Sequence, residues 1–379
     1  MKKLLFSFLA FAISAVPVLA FEIPMPEGMK LDMYGQARMT AAYEYSNVSD
    51  TTKNIISSDF KMRWQGNSRF GINFSAGNFF ANAEMNVKPD QVGEPIGFRQ
   101  FYGGYTFENG LTLIAGNKST LTGNGISSDV YYVDNGLVGF GTASDSRRPM
   151  LMVSYAGLSV AAVANIDNTA VENAVNIAET YIPRFEIAYD YESDFMTARV
   201  FGTYGLFTQK YGINGTERAN IHAWHAGFDV MPTFGNMYVG ISAFVGMNAG
   251  MYGAVYTLDS SGYDVIEIKP SLDVDGNVND VLTWGVAAVF GMQVSEMISF
   301  EIGGGYQDST ADNFRSYKDD KKVGIAGYAA YIQTPITFAE GHFTLVPQVG
   351  YYARQTDYDF QGATSVNALI AGAQVVVKF

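Results

Sequence analysis

The chain has 379 residues, a formal net charge of −13, no cysteine, 40 glycines and 14 % aromatic residues. The acidic balance excludes a broad basic surface of the kind that binds nucleic acid, and the absence of cysteine argues against a disulfide framework. Mean hydropathy is only +0.04 although 48 % of the residues are apolar. This combination is expected when apolar and polar residues alternate along the chain.

The first 20 residues have the features of a secretory signal peptide. Two lysines precede an apolar run that starts at Leu4, and a small-residue cleavage motif ends at Ala20. The apolar run is too short to span a membrane as a helix. We therefore expect residues 1–20 to be removed and residues 21–379 to form a single domain.

Alternating segments follow one another through the rest of the chain. A strand has a side-chain period of two, so each segment has one apolar face and one polar face. Charged residues stand at mid-strand on the polar faces, where a packed apolar core would not tolerate them unpaired. The pattern predicts an all-β fold, a transmembrane antiparallel β-barrel with water inside it. The clearest segments lie near residues 31–44, 60–74, 81–88, 184–191, 237–247, 282–294 and 369–379.

Short and long connections alternate between these segments. Together they predict about 16 strands, with 14 or 18 as open alternatives, and both termini on the short-turn side, which is periplasmic in bacterial barrels. Seven short turns are predicted near residues 77–78, 108–110, 156–157, 192–194, 233–236, 295–297 and 337–341. Eight longer polar segments are predicted at 46–58, 89–97, 119–149, 166–182, 207–219, 249–280, 308–322 and 355–364.

The last segment ends the chain on an aromatic residue, Phe379. Its final residues alternate, with Val375, Val377 and Phe379 on one apolar face. We expect this strand to close the barrel in the outer membrane, with Phe379 at the periplasmic interface. A terminal aromatic strand also resembles the signal read by the barrel-assembly machinery. Pro347 is a departure from the pattern, because a proline within a strand removes a hydrogen-bond donor from the ladder.

A set of short motifs stands in the first third of the chain and at its last residue. The motifs are Met33-Tyr34-Gly35, Ser68-Arg69-Phe70-Gly71, Arg99-Gln100-Phe101-Tyr102 with Gly104, Gly116-Asn117-Lys118 and Phe379. In this order the set resembles the trimeric general porins of Gram-negative outer membranes. Residues 150–360 match that family only in strand rhythm. The resemblance implies a water-filled channel, without a cofactor, for passive diffusion of ions and small hydrophilic solutes. It also implies contact with outer-membrane lipid and lipopolysaccharide.

The resemblance further implies that the third long connection, residues 119–149, folds inward and narrows the pore. Its glycines permit the tight, positive-φ turns of a loop packed against a wall. Carboxylates on this loop would face cations on the wall and set a transverse field across the constriction. The acidic loop residues are Asp129, Asp134 and Asp145, and the basic wall residues are Arg38, Arg63, Arg69, Arg99 and Lys118.

Two alternatives to this constriction stay open. Residues 119–149 could form an ordinary external loop. The arginines could be scattered ion-pair partners of inward carboxylates, namely Glu44, Glu84 and Glu186. The position of Arg99 is also problematic, because strict alternation from Arg99 leaves Gln100 facing outward.

The outer face of the first strands predicts an assembly surface. Flat surfaces of small residues let backbones approach closely within a membrane. We therefore expect a homotrimer through strands one to five and the last strand, unless small residues simply vary along a lipid-facing wall. The residues that indicate this surface are Ala37, Met39, Ala41, Ala81, Ala83 and the pair Gly103-Gly104.

Enzymatic and metal-binding motifs are weak in this sequence. His222 and His225 are three residues apart within a predicted strand, so they point to opposite faces and cannot share a metal. The acidic segment 273–280 is similar to a calcium loop, but its glycine is misplaced. We expect no enzymatic activity and no metal site. Besides a diffusion channel, the sequence allows a substrate-selective porin, or a surface-binding or structural barrel without significant channel activity.

Overall fold

The described part of the chain is almost entirely strand and turn. The computed structural model describes residues 21–23, 25–50, 54–87, 96–123, 125–130, 136–144, 146–165, 179–211, 217–258, 265–272, 275–311, 315–316, 319–320, 323–356 and 363–379. The predicted signal peptide and two of the predicted acidic site residues, Asp134 and Asp145, lie outside these residues. Within the described ranges, no helix is long and apolar enough to cross a membrane.

Sixteen antiparallel strands form one closed sheet. They are β1 Met29–Asp50, β2 Asn54–Trp64 continued by Arg69–Ala76, β3 Phe79–Val87, β4 Ile96–Thr106, β5 Thr112–Ser119, β6 Arg147–Tyr155, β7 Leu158–Val163, β8 Arg184–Ser193, β9 Met196–Tyr211, β10 Glu217–Phe234, β11 Met237–Met247, β12 Val281–Gln293, β13 Ser299–Ala311, β14 Val323–Gln333 continued by Ile336–Phe338, β15 Phe343–Thr356 and β16 Ala363–Lys378. Each strand pairs with the next, and β16 pairs with β1 from the register Gln36–Lys378 onward. The prediction of a 16-stranded antiparallel barrel is confirmed.

Short elements extend the sheet or lie in its connections. Phe21–Ile23 pairs with the start of β1. Three small hairpins are formed by Tyr256–Leu258 with Val265–Glu267, Ser271–Leu272 with Val278–Asn279, and Arg315–Ser316 with Asp319–Asp320. Single 3₁₀ turns occur at Ala249–Tyr252 and Ala339–Gly341.

The predicted connections 46–58 and 207–219 are too long. β1 continues to Asp50 and β2 begins at Asn54, while β9 and β10 extend to Tyr211 and from Glu217. These strand ends are polar, and a polar segment between two apolar ones predicts a loop. Their ladder is held by backbone hydrogen bonds, which do not depend on apolar side chains.

The two faces of the barrel wall differ sharply in exposure. The outward side chains Phe60, Phe98 and Leu151 are 66 %, 70 % and 67 % exposed, whereas the neighbouring inward Arg99 is 8 % exposed. An apolar outer band facing lipid and a polar inner face are typical of transmembrane barrels. The alternation in the sequence therefore corresponds to outside and inside.

A β-bulge resolves the problem posed by Arg99. In the pairing of β3 with β4, Glu84 lies opposite Gln100 and Met85 lies opposite Phe98, so Arg99 is the extra residue. A bulge places two consecutive residues against one on the partner strand and re-aims their side chains. Arg99 consequently faces inward without forcing Gln100 onto the lipid face.

Pro347 lies beside an interruption of the neighbouring strand. β14 is broken at Thr334 and Pro335, and the Thr334 N–H donates to the Pro347 carbonyl at 3.0 Å. The N–H and C=O of one strand residue point to the same side. The donor that Pro347 lacks would therefore point at the break, where no regular ladder bond is lost.

The chain terminus completes the closure of the sheet. The Gly35 N–H donates to the Phe379 carbonyl at 2.8 Å, and the Phe379 N–H donates to the Gly35 carbonyl at 3.1 Å. The Phe379 ring covers Gly35 so closely that a Cβ on residue 35 would overlap it. The glycine of the first motif is thus explained by the aromatic terminus.

Candidate functional site

A cluster of cations surrounds one carboxylate on the inner wall. Glu84 of β3 is 2 % exposed. Its Oε1 accepts a hydrogen bond from Arg99 Nε at 2.8 Å, and its Oε2 lies 3.5 Å from Arg69 Nε. The Tyr34 hydroxyl donates to Glu84 Oε2 at 3.0 Å. Arg147 of β6 interacts electrostatically with this group as well. Three strands, β2, β4 and β6, thus bring one arginine each to the acid on β3.

The local sequence makes room for this cluster. Gly71 of β2 lies opposite Glu84 in the β2–β3 register. The Tyr34 ring rests on Gly71, and a Cβ there would overlap the ring. Asn82 donates to the Tyr34 hydroxyl at 3.0 Å and so fixes its direction. Motifs in β1, β2 and β4 therefore contribute one constellation, in which a glycine lets a tyrosine reach the acid.

A second ion-paired group lies closer to the long-loop end. Glu44 of β1 is 2.9 Å from Arg63 Nη2 and 3.0 Å from Lys61 Nζ. The Arg63 side chain is 42 % exposed although it points into the barrel. The Arg63 guanidinium is therefore accessible from the lumen while it pairs with Glu44.

The remaining predicted wall residues also lie on the inner side. The Arg38 backbone N–H donates to Ser68 Oγ at 2.9 Å, and its guanidinium donates to Gln36 at 3.4 Å. Lys118 of β5 lies over the Tyr102 ring, with its Nζ 5.6 Å from the ring centroid. Lys378 of β16 interacts electrostatically with Arg38. The basic wall defined by these contacts comprises Arg38, Lys61, Arg63, Arg69, Arg99, Lys118, Arg147 and Lys378.

The third long connection packs on the opposite inner wall. The backbone N–H and the hydroxyl of Ser128 donate to Glu301 of β13 at 3.1 and 2.6 Å. Tyr238 and Tyr331 also donate to Glu301, and Ser127 Oγ lies 2.7 Å from the Tyr331 hydroxyl. One carboxylate that is 2 % exposed therefore fixes this part of the connection to three strands.

Asp129 is directed into the same wall. It is 2 % exposed, accepts a hydrogen bond from the Tyr352 hydroxyl at 2.8 Å and accepts another from Gln348. Arg63, Arg69 and Arg99 each have a carboxylate partner on the strands, as in the ion-pair alternative. Arg99 also donates to the Gly66 carbonyl at 3.0 Å and to Asn67 Oδ1 at 3.1 Å. The neutral donors Tyr352 and Gln348 hold the Asp129 carboxylate against β15, and the transverse field stays a prediction.

Apolar residues attach the connection to the wall. Ile126, Leu137 and Phe140 are 1 %, 0 % and 0 % exposed. Gly305 and Gly327 lie beneath the carbonyls of Phe140 and Gly139, where a Cβ would overlap them. This half of the inner wall therefore combines an apolar patch with buried polar residues such as Glu301 and Gln348, and the predicted polar inner face does not include the apolar patch. The sequence signal for a loop packed on this wall is the set of glycines and small residues at inward positions. The wall residues involved are Ala287, Val289, Ala329, Tyr331, Val346, Tyr352, Val366 and Ile370.

The histidines do not gather into a site. His225 lies on the inner side and is 1 % exposed, whereas His222 lies on the outer side, where its Nδ1 is 2.7 Å from the Tyr204 hydroxyl. Within the described ranges, no cluster of three or more histidine, aspartate or glutamate side chains could hold a metal ion.

Comparisons with solved structures show which folds this architecture is similar to. No protein-family model and no curated protein matches the chain. The DcaP channel of Acinetobacter baumannii is 15 % identical, with a TM-score of 0.68 over 94 % of this chain and 99 % of that chain. An anion-selective porin from Comamonas acidovorans is 11 % identical, with a TM-score of 0.58 over 93 % and 100 %.

A third similar structure is the trimer form of the OmpT outer membrane protein of Vibrio cholerae. It is 15 % identical, with a TM-score of 0.54 over 92 % of this chain and 100 % of that chain. The chain therefore has the fold of outer-membrane porins, as the short motifs predict.

Proposed function

We propose that the protein is an outer-membrane porin, a passive channel for ions and small hydrophilic solutes that prefers anions. The observation that carries this proposal is the basic wall, which lies inside a closed barrel whose outer face is apolar. A charge in a dry interior costs several kcal/mol even when it is paired. The side chains of Arg63, Lys61 and Arg69 are 42 %, 27 % and 18 % exposed on the inner side. Water beside these groups accounts for their position.

The preference for anions follows from the charge balance of this wall. Its cations outnumber Glu44 and Glu84, the two carboxylates that pair with them. Of the acids elsewhere on the inner side that the structure describes, Asp129 and Glu301 are both 2 % exposed and bound by hydrogen-bond donors, and Asp190 pairs with Arg199 at 3.6 Å. Arginine stays charged even when other cations crowd it. An anion therefore meets a favourable potential along β1–β6.

The outer surface supports insertion in the outer membrane and assembly as a homotrimer. Ala37, Ala41, Ala81 and Ala83 are only half-buried on the outer side of β1 and β3. Large apolar side chains on β2 and β4 flank them, and small lipid-facing residues allow close approach of a second copy. Gly104 does not belong to this surface. It faces inward beneath Phe80, since adjacent strand residues point to opposite faces.

The proposed orientation places both termini in the periplasm, next to the short turns, with the long loops among lipopolysaccharide. Phe379 is 57 % exposed on the outer side, where a machinery that inserts barrels has access to it. The proposal includes no enzymatic reaction, metal or cofactor.

Single-channel recording in a planar lipid bilayer tests the proposal. We expect stepwise conductance from purified protein and, under a KCl gradient, a reversal potential displaced toward the chloride equilibrium potential. A cation-directed displacement would contradict the charge argument. Folded protein that inserts but gives no steps would favour the surface-binding or structural barrel. Conductance blocked at low concentration by one solute class would favour the substrate-selective porin.

A further inference from the structure

The connection between β11 and β12 begins with a segment that is completely buried. Ala249 is 3 % exposed, and Met251, Tyr252, Ala254 and Val255 are each 0 % exposed. This segment leaves the long-loop end of the sheet, where connections normally lie in solvent. The segment is buried by inward side chains of the barrel, such as Phe207 and Ile221, and by Ile268, Leu272 and Val278 of the same connection. We call residues 249–255 the β11–β12 plug.

The plug packs on the inner faces of β9, β10 and β11. Tyr252 lies 6.4 Å from Phe207 and 5.6 Å from His225, measured between ring centroids. Its hydroxyl is 3.2 Å from His225 Nδ1. The inward side chains Ile221 and Ala223 are 0 % exposed beneath it. These strands therefore present no open inner surface at this level.

A side chain at the start of the plug sets its direction. Asn248 adopts φ +55°, a left-handed conformation that asparagine tolerates better than most residues. Its Nδ2 donates to the His222 carbonyl at 2.9 Å and to Asp280 at 2.6 Å, and its Oδ1 accepts from the Val281 N–H at 2.9 Å. The chain is thus turned inward where β11 ends.

The plug is joined to the third long connection. The Ser144 N–H donates to the Ala254 carbonyl at 3.1 Å. Glu186 accepts the Leu121 N–H at 2.7 Å and pairs with Arg184 at 2.9 Å. The Arg184 guanidinium lies over the Tyr252 ring, 5.0 Å from its centroid. The ion pair is completely buried, so it links both connections to β8 instead of facing water.

We propose that the β11–β12 plug closes the β8–β11 side of the lumen, so that solutes pass only along the basic wall of β1–β6. This inference rests on the proposed function. It adds to the basic wall a second part of the structure, the plug, that determines which solutes pass. The third connection covers β12–β16 and also contacts β8–β10 through Glu186, Arg199 and Asp229, and the plug covers β9–β11. The inner surface that remains includes the basic wall of β1–β6, which carries the excess of cations. The plug thereby confines every solute to the electropositive side.

Thiol accessibility tests this inference, because the chain has no native cysteine. Single variants Ala223→Cys and Ala254→Cys report on the wall under the plug and on the plug itself, and Arg63→Cys reports on the proposed path. Folded protein in membrane vesicles is treated with a charged methanethiosulfonate, and its mass is measured. We expect residue 63 to react at least about 100-fold faster than the other two, since opening of a packed region limits their reaction.

Denatured samples of the Ala223→Cys and Ala254→Cys variants must react completely, which shows that their thiols are intact. Reaction of both positions at the rate of residue 63 in folded protein would overturn the inference. The mass readout does not require conductance, so a silent channel would reject the proposed function without affecting this test. A Tyr252→Ala change in the Ala223→Cys background supplies a second measurement. It should accelerate labelling of residue 223 because the ring that covers the strand is lost.

Discussion

Replacing Glu84 by glutamine should increase the preference for anions. The change preserves size and removes the one carboxylate shared by Arg69 and Arg99, at 3.5 and 2.8 Å. The basic wall then gains one net positive charge at the level of this cluster. The Tyr34 hydroxyl keeps an acceptor, since the glutamine oxygen can replace a carboxylate oxygen. We expect the barrel to remain folded, because its strand ladder does not depend on this contact.

The magnitude follows from the distance between Glu84 and a passing ion. An ion that contacts the guanidinium of Arg69 lies about 6 Å from the carboxylate, where a unit charge in water contributes about 0.7 kcal/mol. This energy changes the local anion and cation populations by about three-fold each, in opposite directions. The ratio of anion to cation permeability should therefore rise by up to about ten-fold at low salt.

Reversal potentials under KCl gradients measure this ratio. The screening length falls from about 10 Å at 0.1 M to about 3 Å at 1 M, so the effect should largely disappear at high salt. Glu340, on a short turn, provides the matched control, and Glu340→Gln should leave the selectivity unchanged. An unchanged ratio in the Glu84 variant at 0.1 M, with heat-modifiable mobility intact, would refute the assignment of this cluster to the pore.

Three further changes test other parts of the structure. Arg63→Gln should shift selectivity toward cations, because its exposed guanidinium contributes to the anion-attracting potential; an equal or greater anion preference would contradict this. Tyr352→Phe removes a hydrogen bond to buried Asp129 that is worth about 1.5–3 kcal/mol, so current noise should increase as the third connection loosens, and a quiet trace would argue against this anchor. Deleting Phe379 should lower the amount of assembled protein in outer-membrane fractions without reducing export, and normal levels would exclude a role in assembly.

The strands were predictable because every strand has a lipid-facing side. Lipid requires an apolar residue at every second position of the wall. Outward residues such as Phe98 and Leu151 can therefore be identified from the alternation in the sequence. The short turns are recorded too, since a two-residue connection such as Gly77-Asn78 needs residues that adopt unusual backbone angles. Strand count and the alternation of connections follow from these two signals.

The interior was harder to predict because each inward residue can face water, a loop or a carboxylate. Asp129 illustrates this point. Its charge suggests a pore-facing acid, but Tyr352 and Gln348 lie more than 200 residues away and engage it in the wall. Local patterns do not contain such partners. Arg99 was difficult for a different reason, since a bulge shifts the alternation on which inward assignment depends.

The plug was not predictable from the sequence, because residues 249–255 begin a long polar connection and only their own apolar character sets them apart. Ala249, Met251, Tyr252, Ala254 and Val255 are apolar, as lipid-facing residues would be. The sequence predicts a polar connection over 249–280, and these apolar residues stand only at its start. Only the burial of its first residues distinguishes a segment that turns into the barrel from one that extends outward.

The attachment of the third connection has a consequence for the order of folding. Ser128 contacts Glu301 across 173 residues, Ser127 contacts Tyr331 across 204, and Asp129 contacts Tyr352 across 223. Contacts between residues so distant in sequence form late and slowly. The wall that buries Ile126, Leu137 and Phe140 also includes Val366 and Ile370 of β16. The connection therefore has no complete binding surface until β13–β16 have joined the sheet, and its docking and the closure of the barrel belong to the same late stage of folding.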